Sequence, residues 1–167
     1  MNDFDLEICY LSASEALERF KNKSLSPVEL LSATIKRIES INPKINAFNF
    51  FRFEEALEEA KKSKIKYIEN KATLPLEGIP LAIKDEVNIK GHPNKNGSLI
   101  YKDTIAEGTD IDVSSLVNSG AILHARTTNP EFSLTSFCHS KVNGVTRNPW
   151  NLDMTPGGSS GGSAAAL

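Results

Sequence analysis

Residues 155–167 read Thr-Pro-Gly-Gly-Ser-Ser-Gly-Gly-Ser-Ala-Ala-Ala-Leu, and no other stretch limits the backbone of this chain so closely. Four glycines, Gly157, Gly158, Gly161 and Gly162, bracket the adjacent hydroxyls of Ser159 and Ser160. The backbone there can take dihedrals closed to other residues and can approach a second group closely. Ser163 stands where it would cap a helix beginning at Ala164. Free N–H groups leading into a helix N-terminus favour negative charge, whether a phosphate or the oxyanion of a tetrahedral intermediate. Three readings compete. A phosphate cradle is poorly supported, because the Lys-Ser/Thr pair of a Walker A loop is missing. A Gly/Ser linker fits the composition, but leaves Pro149-Trp150 before it and the alanines after it unexplained. The third reading is a catalytic loop presenting a serine hydroxyl.

The preceding chain supplies a scaffold. Ser12-Ala-Ser-Glu15 has capping-box spacing, and Ala13, Ala16, Leu17 and Phe20 follow at helical intervals, predicting a helix to about Lys21. Ser26-Pro27-Val28-Glu29 opens a second helix, whose stripe of Val28, Leu31, Ile35 and Ile38 is expected to end at Asn42-Pro43. A third, roughly from Phe53 to Lys64, sets Glu58 and Glu59 ahead of Lys61 and Lys62, as a solvated face does.

Beyond Lys71 the pattern changes. Leu76 to Lys84 is a short apolar run broken by Gly78 and Pro80, which suits a buried strand starting at the proline. Lys84 at its end either reaches water, pairs with Asp85, or is buried; burial would favour a neutral amine able to act as a base. Residues 91–108 read as loop, Val113 to Val117 as a helix closed by Gly120, and 121–125 as the next strand. Strand, loop, helix, strand is a βαβ-like order, so the expectation is an α/β fold with a mixed, largely parallel sheet flanked by helices. The expected division is a helical segment over residues 1–70 and an α/β core over 71–167.

Composition excludes little. The chain has 167 residues, 40% hydrophobic and 24% charged, with net charge −2. No block of Lys/Arg stands apart from acidic neighbours, so neither a nucleic-acid surface nor an anionic-membrane surface is expected. The opening Met-Asn-Asp-Phe-Asp-Leu-Glu is acidic where a signal peptide is basic and then apolar, which leads to the expectation of a cytoplasmic protein. Cys9 and Cys138 are too far apart in sequence to form a redox or metal motif, and His92, His124 and His139 lack zinc-site spacing.

Several stretches together resemble the amidase signature family, in the family's order and over nearly the whole chain. They are Ser26-Pro-Val-Glu-Leu30, Ile41-Asn-Pro43 with Asn46-Ala-Phe48, Pro75 to Asp85, Gly120-Ala-Ile-Leu123, Thr128-Asn-Pro-Glu-Phe132, and Gly144 to Trp150 leading into Gly157 to Ser163. The resemblance implies hydrolysis of a carboxamide by a Ser–cis-Ser–Lys triad with no metal or cofactor. Lys84 is then the base, and Ser159 the middle member on a cis peptide. Ser160 and the glycines at 157, 158, 161 and 162 support the site. The acylated serine of the family lies in a later glycine-rich segment not contained in these residues. The chain alone is therefore expected to be inactive, with an open sheet edge and exposed apolar surface.

A small amide is the expected substrate, and the resemblance also allows a homodimer of the full-length protein. The alternative within the family is the A subunit of the glutamyl-tRNA(Gln) amidotransferase, whose corresponding segment usually reads Lys-Thr-Asn and then Met-Asp-Glu-Phe. Ala125-Arg-Thr-Thr-Asn-Pro-Glu-Phe132 looks more like the general amidases. Two departures flank the expected site: Glu86 stands where Asn is common, and Asn94-Lys95 where Thr-Thr is common. From another class, a non-catalytic truncated product fits the missing nucleophile.

Overall fold

A computed structural model describes residues 3–167; Met1 and Asn2, which open the acidic N-terminal stretch, lie outside the described residues. The chain forms two units. One contains the described residues up to Ser40 together with 52–81 and 115–124; the other contains 41–51, 82–114 and 125–167.

The first unit is built from helices that the sequence punctuates clearly. They are α1 (Asp3–Cys9), α2 (Ala13–Lys21), most of α3 (Pro27–Ile45), whose residues 41–45 belong to the second unit, and α4 (Phe53–Ile68). Both capping boxes form. Ser12 Oγ accepts from Glu15 N at 3.2 Å while Glu15 takes the Ser12 N–H at 2.9 Å. Ser26 and Glu29 repeat the exchange at 3.3 and 2.9 Å, with Pro27 at the first helical position. Ile8, Ala16, Phe20, Leu25, Leu30, Ala33 and Tyr67 form one buried cluster; Leu31, Ile35, Ala56, Ala60 and Ile122 form another. Glu77 lies almost wholly buried and is held by both Lys66 and the Ser63 hydroxyl of α4, while Tyr67 donates to its backbone carbonyl at 2.9 Å. This fixes the segment that leads into the next strand.

Two of the helices run further than their sequence punctuation suggests. α3 continues through Pro43 to Ile45, because the Asn42 side chain accepts the amides of Ala47 and Phe48 at 2.8 and 3.0 Å and so orders the exit. α4 continues past Lys64 to Ile68, since Tyr67 belongs to the buried face. α1 carried no cap signal in the sequence and was not anticipated.

The sheet is three-stranded, in the order β1 (Phe48–Phe51), β3 (Ile122–Thr127), β2 (Pro80–Lys84). β1 runs antiparallel to β3, with Phe48 opposite Thr127 and Phe51 opposite Ala125 and an irregularity between Phe48 and Phe50. β2 and β3 are joined by a 3-10 turn at Leu99–Tyr101 and by α5 (Ile111–Asn118), the order expected of a βαβ-like crossover. The sheet is thus mixed, as the sequence indicates. Its antiparallel edge comes from β1, which is too short and too irregular in alternation to be read beforehand. β3 runs to Thr127, two residues beyond its expected end, and all six of its residues are buried. A two-residue ribbon, β4 (His139–Ser140) with β5 (Gly144–Val145), and α6 (Gly161–Ala166) complete the second unit.

His124 illustrates what burial in β3 entails. Desolvation pushes its imidazole from the ordinary 6.5 down to about 4. Between these values the unfolded chain binds the extra proton, so this contribution to stability is complete above about pH 6.5 and is lost as pH falls towards about 4. The expected outcome is an unfolding free energy that declines from about pH 6.5 downwards, with a contribution from His124 of up to about 1.4 kcal/mol per pH unit, and a shallower decline in His124→Gln. Parallel slopes for the two proteins would remove His124 as the source.

Candidate active site

Every component described here belongs to the second unit. Lys84 closes β2, and its side chain is only 12% exposed. Its Nζ lies 2.8 Å from Ser159 Oγ. The structure therefore brings together the two residues that the sequence nominated from opposite ends of the motif set, 75 positions apart. The Gly158–Ser159 peptide bond is cis.

The end of β3 holds both partners. Thr127 O accepts the Asp85 amide at 3.0 Å, which fixes the backbone just after Lys84. Thr128 O accepts the Gly162 amide at 3.1 Å, and Thr127 Oγ1 pairs with Ser163 Oγ at 2.8 Å. These bonds secure α6, immediately after Ser159 and Ser160. Gly162 runs directly against the Thr128 backbone, leaving no room for a Cβ. Gly161 likewise abuts Cys138, and a methyl on Gly158 would lie 2.7 Å from Thr135 O. Gly157, at φ +90°, turns the chain into the loop, a conformation that other residues rarely adopt.

The helix start differs from its expected position. α6 begins at Gly161 with Ser160 as its N-cap residue, and Ser163 is an internal residue bonded to Thr127 rather than a cap. Close contact of Gly161 with Cys138 and of Gly162 with Thr128 accompanies their place in the first turn, despite the low helix propensity of glycine. Ser160 makes no side-chain capping bond.

Lys84 also departs from the pairing considered for it. Its ionic partner is Glu86, with Nζ to Oε1 at 3.0 Å, whereas Asp85 is buried and takes a hydrogen bond from Asn49 Nδ2 at 3.0 Å. Burial alone would raise the Glu86 carboxyl, but hydrogen bonds from Ser133 and Lys84 and the Lys84 charge outweigh it and hold the group below its ordinary range. Ser133, at φ +55°, also accepts from Asn129 Nδ2 at 3.0 Å.

Arg126 is the residue that sequence reasoning missed. It is fully buried in β3 and donates to the carbonyls of Lys84 (3.0 Å), Val87 (2.5 Å) and Pro93 (3.3 Å). The available signal was an arginine inside an apolar strand, where a cation stays only if the fold supplies acceptors. Among the described residues no group of three His, Cys, Asp or Glu side chains is placed to hold a metal. A cavity of about 300 Å³ bounded by Phe137, His139, Arg147 and Met154 contains neither Lys84 nor Ser159. The hydroxyl–amine contact, not this cavity, marks the site. That arrangement can pass a proton between a serine and an amine.

Comparison with known proteins gives the family of the chain. The sequence profile of the amidase family matches residues 29–167. The A subunit of a glutamyl-tRNA(Gln) amidotransferase from Methylacidiphilum infernorum is 39% identical over 97% of this chain, and an indoleacetamide hydrolase from Bradyrhizobium diazoefficiens 35% over 93%. These alignments cover 31% and 30% of those proteins. The crystal structure of a bacterial aryl acylamidase of the amidase signature enzymes superposes with a TM-score of 0.89 at 30% identity, over 95% of this chain and 33% of that one. The chain therefore spans about a third of the length of its relatives.

Replacing Arg126 by Met roughly keeps the volume but removes the guanidinium donor from the carbonyls of Lys84, Val87 and Pro93, of which Lys84 O keeps the Val87 amide. The expected result is destabilisation by about 2–4 kcal/mol, with faster amide hydrogen exchange concentrated in residues 85–94. Unchanged exchange there would show that Arg126 does not brace the segment after Lys84.

Proposed function

Because the chain belongs to the amidase signature family, we propose that it is the relay-bearing part of an amidase that hydrolyses a small carboxamide through a Ser–cis-Ser–Lys triad. The 2.8 Å contact between Lys84 Nζ and Ser159 Oγ carries this reading. The third member, the acylated serine, is proposed to come from the remaining length that full-length relatives possess. The exposed apolar side chains of Leu134 and Trp150 are surfaces that remainder could cover.

The chemistry follows from the two hydroxyls and the amine. The nucleophilic serine attacks the amide carbonyl carbon and gives its proton to Ser159, which passes its own to the unprotonated amine of Lys84. The relay then runs in reverse and protonates the leaving nitrogen as the C–N bond breaks. Water attacks the resulting ester, which releases the acid and restores the serine. Gly162 packs on the Thr128 backbone, Gly161 on Cys138 and Gly158 on residues 135–137, while Gly157 supplies the positive φ that turns the loop, and together they keep Ser159 within reach of Lys84. No helix among the described residues is long and apolar enough to cross a membrane, and a cytoplasmic location is proposed with the enzyme.

A second reading has its own support, the similarity to the A subunit of an amidotransferase. On that reading, ammonia released at this site serves a partner polypeptide. Turnover of a simple amide by the full-length chain alone favours the hydrolase, whereas turnover that appears only with a second polypeptide favours the amidotransferase.

Two outcomes test the relay. A fluorophosphonate probe is expected to label the full-length protein covalently and leave the 167-residue chain unlabelled; labelling of the short chain would place a nucleophile within it. Lys84→Ala and Ser159→Ala in the full-length protein are each expected to lower kcat by about 10²–10⁴-fold. Near-normal turnover by Lys84→Ala would remove Lys84 from the base role.

A further inference from the structure

The proposed relay uses only one of the two contacts of Lys84 Nζ. The other, to Glu86 Oε1 at 3.0 Å, has no part in the reaction as written. The Glu86 side chain is 35% exposed against 12% for Lys84, so the carboxylate is the more accessible of the two charges. The carboxylate is braced from behind by Ser133, itself held by Asn129 at 3.0 Å. Asp85, the neighbouring acid, is buried and engaged by Asn49, so it offers no competing charge.

Lys84 can accept a proton only when it is unprotonated, and in that state Glu86 has lost its counter-charge. An ionised carboxylate left without a cation in a partly dewatered site is unfavourable. A substrate that brings its own cation to Glu86 removes this penalty. Binding of such a substrate and availability of the free amine then favour each other, as any two linked equilibria must.

Building on the relay assignment above, we infer that Glu86 is a specificity-determining residue that selects amides carrying a positively charged group a few bonds from the scissile carbonyl. Lys84 is the resting counter-ion of Glu86, and the substrate cation takes its place during turnover.

The test compares 5-aminopentanamide with pentanamide, two substrates that differ essentially by an ammonium group, on the full-length protein. The expected kcat/KM is at least about tenfold higher for the cationic amide, and Glu86→Gln brings the ratio to within about twofold of unity. Hydrolysis of both amides at equal rates by the unmodified enzyme overturns this inference alone. Hydrolysis of neither overturns the amidase reading, and this inference with it. If Glu86→Gln does not fold, inhibition of the unmodified enzyme by pentylammonium and by 1-pentanol decides the matter. Stronger inhibition by the cation, by about tenfold, upholds the inference, and equal inhibition overturns it.

Discussion

The C-terminal end of β3 is the constraint on which the second unit depends. From Ala121 to Pro130 every residue is buried, which is unusual for a stretch containing His, Arg, two Thr and Asn. Burial favours a partner for each polar group, and several of the partners found here make up the site. Thr127 and Thr128 hold the amides of Asp85 and Gly162, and Arg126 holds the carbonyls that follow Lys84. Satisfying the polar groups of one buried strand thus brings a lysine and a serine 75 residues apart into contact. The glycines are a consequence of the same requirement. Gly162 is small because the backbone of Thr128 occupies the space of its Cβ, and Gly161 because Cys138 occupies that of its own.

Local sequence rules revealed the parts of the fold that depend on local chemistry. The capping boxes at Ser12 and Ser26 formed as written, because each satisfies its own orphan amides within four residues. Where a neighbour across the fold supplied the partner, the rules failed. Asn42 carried α3 through a proline by taking up two amides beyond the helix end. Ser163 had the right residue type for a cap, yet Thr127 offered its hydroxyl a better partner and the helix began earlier, at Gly161. β1 gave no alternation signal because it is four residues long, with an irregularity that shifts its register.

The site divides in the same way. Lys84 and the Gly/Ser loop were legible because their motifs are read against a family whose order they follow. Arg126 was visible only as an oddity of composition, since the three carbonyls that make its burial tolerable lie 33 to 42 positions away. Glu86 was noted as a departure from pattern, but its meaning depends on a distance. A carboxylate two residues after a strand-end lysine could equally point away from it.

That distance separates what the scaffold conserves from what it leaves free. The hydroxyl–amine contact is fixed by β3 and by glycines that admit no substituent, so it can change only with the fold. Glu86 and Ser133 sit on two separate turns outside β3, one just after β2 and the other where Phe132 and Ser133 both take positive φ. Side chains on such turns can vary without disturbing the bonds to Thr127 and Thr128. On the proposed relay, members of such a family can share the Lys84–Ser159 contact while acting on unlike amides, because Glu86 and Ser133 lie outside the bonds that make that contact.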